Sequence, residues 1–379
     1  MARILILGAG FGGISASLAL RRLAGDEIEI VLVDRRADFA MGLRKTWEVV
    51  GEARLTDGTR QLSALARSGV AVRQGHVERL DPANLRATID GEEVAADAIV
   101  VALGAEHAAQ AVPGLADHGV DVWDRDGAGR AREALERFTA GRLVIGVFGT
   151  PYSCPPGPFE LAMLVRERLA RRGLDAQVEV FGPMPIALPV AGPTQSAKLE
   201  SLLAEAGIAF LPGRQAVEVT AGSVRFADGK EGPFDLLLAV PPHRCPPILV
   251  DAGLAPAGGW VAVDPRTLET AHAHVYAIGD CTVIPLAHGL PLPKAGVFAE
   301  AQGEVVAERI AAELNGRTPQ GAFVGEGVCY IEIGAAMAAS VRGSFLADPP
   351  RVELTAPSAE QRADKLAFEQ DRLERWFGA

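Results

Sequence analysis

The residues that constrain this chain most stand at its start. Arg3 to Leu7 is a short apolar run, Gly8-Ala9-Gly10-Phe11-Gly12-Gly13 follows, and an Ala- and Leu-rich stretch continues to about Ala24. In order, these read as a buried strand, a glycine turn and a helix. Glu27 to Val33 reads as a second strand, and it ends in Asp34. The pattern G-x-G-x-x-G is weak alone, but between strand and helix, with an acid about 20 residues on, it marks a dinucleotide-binding turn. Glycines there let the backbone approach a pyrophosphate at a helix N-terminus, and the acid meets a ribose hydroxyl. Gly8, Gly10, Gly13 and Asp34 are assigned to a dinucleotide on this basis.

Two later strand ends extend the pattern. Asp97 to Ala105 (DAIVVALGA) runs into a small-residue turn at Gly104, and Val275 to Asp280 (VYAIGD) ends in an acid. They resemble the A-T-G turn and the G-D strand end of the flavoproteins with two dinucleotide-binding domains. That resemblance implies FAD in place of NAD as the first cofactor, with Asp280 at the flavin ribityl chain. It also implies a split first domain. The expected fold is α/β with two Rossmann-like domains, the second inserted in the first, plus a small C-terminal region. The FAD-binding domain is expected at 1–111 and 263–320, the inserted domain at 112–262, and the C-terminal region at 321–379.

The inserted segment repeats strand, helix and strand at Leu143–Phe148, Phe159–Arg172 and Gln177–Phe181. Its turn, however, carries Pro151, Pro155, Pro156 and Pro158, which remove backbone N–H groups that a phosphate loop would offer. Its second strand ends in Phe181-Gly182-Pro183, with no acid at the ribose position. We read this domain as one without NAD(P)H binding. Its turn holds Cys154 instead.

Bulk properties narrow the function classes. A net charge of −11 without any basic run argues against a nucleic-acid partner. A length of 379 residues supports a large core, so four cysteines are not a structural disulfide framework. No run of about 18 apolar residues occurs, and Ile4 to Leu7 is too short for a signal peptide. The chain is expected in the cytoplasm, or exported with a leader removed; peripheral membrane contact and homo-oligomerisation stay open. Met41 to Val50 is expected to cover the flavin, with Arg44 and Lys45 as solvated charges. Lys294 opens a helix running to about Leu314 and stands either against the flavin or in water. His243 and Cys245 make no metal site, and Cys281 is read as a small buried residue. Ser358 to Phe377 is expected to be a helix with an apolar stripe at Ala363, Leu366, Leu373 and Phe377, anchored on the protein or a subunit by Trp376 and Phe377.

Together, Gly8-x-Gly10-x-x-Gly13 with Asp34, AIGD at 277–280, PKAG at 293–296, and Cys154 with Cys329 resemble a known family. It comprises sulfide:quinone oxidoreductase and the flavoprotein subunit of flavocytochrome c sulfide dehydrogenase. The resemblance implies a redox-active Cys154–Cys329 disulfide beside FAD, opened by hydrosulfide, with a quinone or a c-type cytochrome as electron acceptor. No cysteine precedes Cys154, which resembles the two-cysteine branches, and MGLRKTWEVV lacks the Phe/Pro-rich pattern expected after the second strand. Two other readings stand beside this one: a type II NADH:quinone dehydrogenase-like flavoenzyme, and a non-catalytic FAD-binding partner protein.

Overall fold

The computed structural model describes residues 1–378. Two parallel five-stranded sheets organise it. The first has the order 275–277, 98–101, 2–7, 28–34, 71–74, and so draws its strands from both sides of the segment that builds the second. Its strands are apolar runs covered on both faces, as parallel sheets require: Ile4, Leu5, Ile6 and Leu7 are fully buried, as are Ile99, Val100 and Val101. Ile4 is in register with Ile30 on one side and Ala98 on the other.

From the central strand Ala2–Leu7 the chain first builds outward to Ile28–Asp34, then returns to the opposite side with Ala98–Val101. This reversal is a topological switch point, where a crevice opens beyond the carboxyl ends of adjacent strands. Gly8 and the Ala102–Gly104 turn flank that crevice. The second sheet has the order 120–121, 236–240, 141–147, 176–181, 208–211, with the same reversal beside Gly141–Val147. The turn carrying Cys154 follows that strand and leads into the helix Gly157–Arg171.

Small antiparallel units complete the chain. Strands 77–81, 86–89 and 92–95 form the meander expected before Gly104, and 216–219, 223–226 and 231–233 form another in the inserted segment. A third, of strands Glu326–Gly334, Met337–Ser344 and Arg351–Leu354, carries Cys329 and is followed by the helix Ala359–Phe377. Ser358 caps that helix by accepting from Gln361 N.

The C-terminal helix corrects the sequence reading. Leu366 is 41 % exposed, and Ala363 also faces outward. The buried stripe is Lys365, Glu369, Leu373, Trp376 and Phe377, two of whose members are charged. It closes on the chain itself. Trp376 meets Phe11 edge-to-face at 5.4 Å and Phe39 at 5.6 Å, while Phe377 stacks on Phe39 at 5.8 Å. Among the described residues no helix is long and apolar enough to cross a membrane. Trp376→Ala is expected to cost about 3–5 kcal/mol, the range for removing a large buried aromatic, and to lower the denaturant midpoint accordingly.

Candidate functional site

The glycine turn divides its labour between packing and space. Gly8 has φ +103°, and a Cβ there would lie 2.3 Å from Ala102 O; one on Gly13 would lie 1.8 Å from Gly8 O. Both positions let strand, turn and helix touch. A Cβ on Gly10 or Gly104 would meet nothing within 4 Å, because both face a cavity of about 310 Å³. That open cradle, where a side chain would intrude, is where a dinucleotide's backbone-hugging portion fits. Asp34 stands at its expected strand end, but its carboxylate accepts from Ala9 N at 2.7 Å and Arg36 N at 2.8 Å. Through these bonds it braces the glycine turn.

Around the same cavity the structure brings together Gly10, Gly104, Cys154, Asp280, Lys294 and Cys329. The turn carrying Cys154 is stitched to the first sheet's late segment. Cys154 N donates to Lys294 O at 2.7 Å, and Ser153 Oγ donates to the Asp280 carboxylate. Lys294 is neither solvated nor free to roam. Its ammonium donates to Asp280 O at 2.6 Å and Thr282 O at 3.0 Å and lies 3.4 Å from the Trp260 ring centroid. Burial pulls its pKa down to about 8, against the attraction of Asp280. Cys281 is fully buried, as expected, and burial pushes its thiol up to about 12.

Arg44 and Lys45 are likewise not solvated charges. Helix Arg44–Val50 lies against the cavity; Arg44 pairs with Glu369, and Lys45 Nζ donates to Trp123 O at 2.6 Å. The segment lines the site through Gly42, Leu43, Lys45 and Thr46.

A buried charge network went unread in the sequence. Lys365 Nζ donates to Glu160 at 2.8 Å and to Glu332 at 2.9 Å. Glu160 also accepts from Thr46 Oγ1 at 2.8 Å and Glu332 N at 3.1 Å; Glu332 also accepts from Trp47 Nε1 at 2.5 Å and Arg362 Nε at 3.1 Å. These bonds join the helix that follows Cys154 directly to the strand that holds Cys329. One signal was available: Lys365 lies on the same helical stripe as Glu369, Leu373 and Trp376, so burying the aromatics buries the lysine. Burial pulls Lys365 down, but the two glutamates outweigh it and hold its pKa above the ordinary 10.5. Burial pushes Glu332 up, but Lys365, Trp47 and Arg362 outweigh it and hold it below the ordinary 4.5.

The four cysteines are free thiols, so the structure contains no Cys154–Cys329 bond. Cys154 opens to the cavity with a positive φ of 55°, and Cys329 is half-buried. Its place within the cavity, away from bulk water, then the nearby Glu160 carboxylate, pushes the Cys154 thiol up to about 11, against Lys365 and Lys45. Burial raises the Cys329 thiol as well, with Cys154 and Glu160 adding to it.

Two outcomes test this construction. Gly10→Val is expected to leave a folded protein that has lost its flavin, since the new side chain enters only the cavity; absorbance per protein and the melting curve separate the two effects. Lys365→Met is expected to cost about 3–5 kcal/mol, because two buried carboxylates lose their cation. The network's pH dependence has two limbs. The share from Glu332 is complete above 4.5 and is lost as pH falls through its depressed folded value; the share from Lys365 is complete below 10.5 and is lost as pH rises through its elevated one. Denaturant midpoints across pH should show the alkaline limb in the native chain and not in Lys365→Met.

Comparison with known proteins agrees with this architecture. Residues 2–303 match the family model described as pyridine nucleotide-disulphide oxidoreductase. Mouse mitochondrial sulfide:quinone oxidoreductase is 23 % identical over 350 residues, 87 % of this chain and 75 % of that protein. The demethylphylloquinone reductase NdbB of Synechocystis is 26 % identical, over 83 % of this chain and 80 % of its own. The crystal structure of sulfide:quinone oxidoreductase from Aquifex aeolicus superposes with a TM-score of 0.91 at 21 % identity, covering 100 % of this chain and 92 % of that one. The open cradle at Gly10 and Gly104 fits the FAD of this group of flavoproteins. The chain belongs to the pyridine nucleotide-disulphide oxidoreductase family, and it is an FAD-dependent oxidoreductase.

Proposed function

We propose that this enzyme oxidises sulfide, or a related small sulfur compound, through a Cys154–Cys329 redox disulfide, with a quinone or a c-type cytochrome as electron acceptor. The observation that carries the reading is the meeting of Cys154 and Cys329, distant in sequence and on different elements, at the cavity that Gly10, Gly104 and Asp280 also line. The names of the mouse and Aquifex relatives support sulfide as donor and quinone as acceptor.

Gly10 and Gly104 would hold FAD at the switch point, with Asp280 and Lys294 at its polar edge. FAD, when bound, supplies the two-electron centre between the sulfur pair and the acceptor. The sulfur step belongs to the chain's own residues. Hydrosulfide attacks one sulfur of the disulfide, a new S–S bond forms there, the old one breaks, and the bonding pair stays on the other cysteine as thiolate. Glu160, bonded to Glu332 N and Lys365, fixes the distance between the two cysteine-bearing elements during that exchange.

The NdbB relative favours a second reading, NADH:quinone chemistry. The second turn speaks against it. Pro151, Pro155, Pro156 and Pro158 lack N–H groups, and those of Cys154, Gly157 and Glu160 are spent on Lys294 O, Cys154 O and Pro156 O. Anaerobic mixing of the purified yellow protein with sulfide should bleach the flavin promptly, whereas NADH should not. Cys154→Ser and Cys329→Ser should each abolish bleaching by sulfide while dithionite still reduces the flavin. Sulfide bleaching retained in Cys154→Ser would reject the disulfide route. Prompt bleaching by NADH would favour the dehydrogenase, and no bleaching by either would favour a non-catalytic FAD-binding partner.

A further inference from the structure

Three lysines line the cavity, and two have evident structural duties. Lys365 is clamped between Glu160 and Glu332, and Lys294 is spent on two carbonyls and the face of Trp260. Lys45 differs, because its ammonium has a single hydrogen-bond acceptor, the carbonyl Trp123 O. Withdrawing a cation even partly from water on a single neutral partner is costly unless its charge is used.

Trp123 fixes where that charge sits. Its indole Nε1 donates to Ser153 O at 2.8 Å, which ties it to the residue before Cys154. A Cβ built on Gly157 would lie 2.7 Å from the indole ring and 3.3 Å from Cys154 Sγ, so ring and sulfur flank one point. Lys45 Nζ is 6.0 Å from the centroid of the same ring. Lysine, indole and thiol therefore form one cluster at the end of the cavity where the second sheet's turn arrives.

We propose that Lys45 is the counter-ion of the Cys154 thiolate, placed to hold the negative charge on Sγ whenever that sulfur is reduced and unprotonated. The inference rests on Cys154 being one of the two sulfurs of the redox pair in the proposed function. The surrounding charges agree with it. Facing Cys154 are Glu160, which opposes ionisation, Lys365, Lys45, and the weakly acidic Cys329 and Tyr152. Lys365 acts on Cys154 more strongly than Lys45, but it is hydrogen-bonded to two glutamates, whereas Lys45 donates to a carbonyl and keeps its carboxylates at a distance, so Lys45 is the cation placed to answer to sulfur. The first turn of helix Gly157–Arg171 adds the partial positive charge of its N-terminus.

Facing Lys45 are Asp121, Asp124, Asp280 and Cys154, together with His243. Burial lowers the lysine's pKa, and the acids, Asp121 foremost, oppose that fall. Asp121 is itself occupied, accepting from Trp123 N at 2.8 Å and Asp124 N at 3.0 Å and meeting His107 Nδ1 at 2.7 Å. It thus supports the ammonium at a distance without capturing it. His243 lies against His107 with ring centroids 4.6 Å apart and the rings tilted by 45°, and burial keeps it neutral by pulling its pKa to about 3, so it adds no competing cation.

The test uses the FAD-loaded enzyme with its cysteines reduced, in the absence of sulfide and acceptor. Iodoacetamide labelling of Cys154 is followed across pH by mass spectrometry of its peptide. Lys45→Gln and, as a second neutral variant, Lys45→Met are expected to move the labelling profile up by about one pH unit, a tenfold slower reaction at about pH 9. Lys45→Arg is expected to stay within about threefold of the native rate, because it restores the charge. Profiles of Gln and Met variants that superimpose on the native one would overturn the assignment. So would an Arg variant as slow as the neutral ones, since packing and not charge would then be the lysine's contribution. Because no sulfide is present, failure here leaves sulfide oxidation standing, and failure of sulfide to bleach the flavin leaves this measurement intact.

Discussion

The contact on which the site depends is the buried bridge from Glu160 through Lys365 to Glu332. It joins a helix of the second sheet, a strand of the C-terminal meander and the final helix, and Thr46 and Trp47 extend it to the short helix beside the cavity. Each carboxylate is buried at a cost that only a fully satisfied cation offsets. All the elements must therefore be in place together. Such a network specifies geometry more than it adds stability, and here it sets how the helix after Cys154 lies against the strand that holds Cys329.

A second constraint acts from the other side. The N–H of Cys154 is held by Lys294 O, and Ser153 by Asp280, so the cysteine turn is fixed to the segment that borders the flavin cradle. The two constraints hold this turn along different directions. Its sulfur is left open to the cavity while its backbone is committed to neighbours from both sheets.

What the sequence made legible follows from range. The glycine turn could be read because strand, turn and helix lie within a dozen residues, and the close approach of Gly13 to Gly8 O is contained within them. The inserted α/β unit could be read from apolar runs that recur with turns between them. Lys45 and Lys294 were misread or left open because a lysine's environment is set by partners far along the chain, here Trp123 O and the carbonyls of Asp280 and Thr282. The C-terminal stripe holds at Leu373, Trp376 and Phe377 and departs from the sequence reading in its first turns, where Lys365 and Glu369 are buried in place of Ala363 and Leu366, for the same reason. Lys365 and Glu369 count as polar in any pattern of hydropathy, yet both are buried because Glu160, Glu332 and Arg44 await them. The cysteine pair lay between these cases: each residue was visible, and their meeting rested on resemblance until the fold brought them to one cavity.

The docking of the last helix also sets an order of assembly. Both nucleotide-type sheets are built from residues up to 277, and they form their cores from strands made well before residue 359. Domains emerging from the ribosome fold as units from the N-terminal side. During synthesis there is thus an interval in which the sheets exist while Phe11 and Phe39 lack their aromatic cover and Glu160 lacks its lysine. Arrival of the final helix then completes the site, because Lys365 and Phe368 are themselves part of the cavity wall, while Trp376 and Phe377 seal the aromatic cluster beside it.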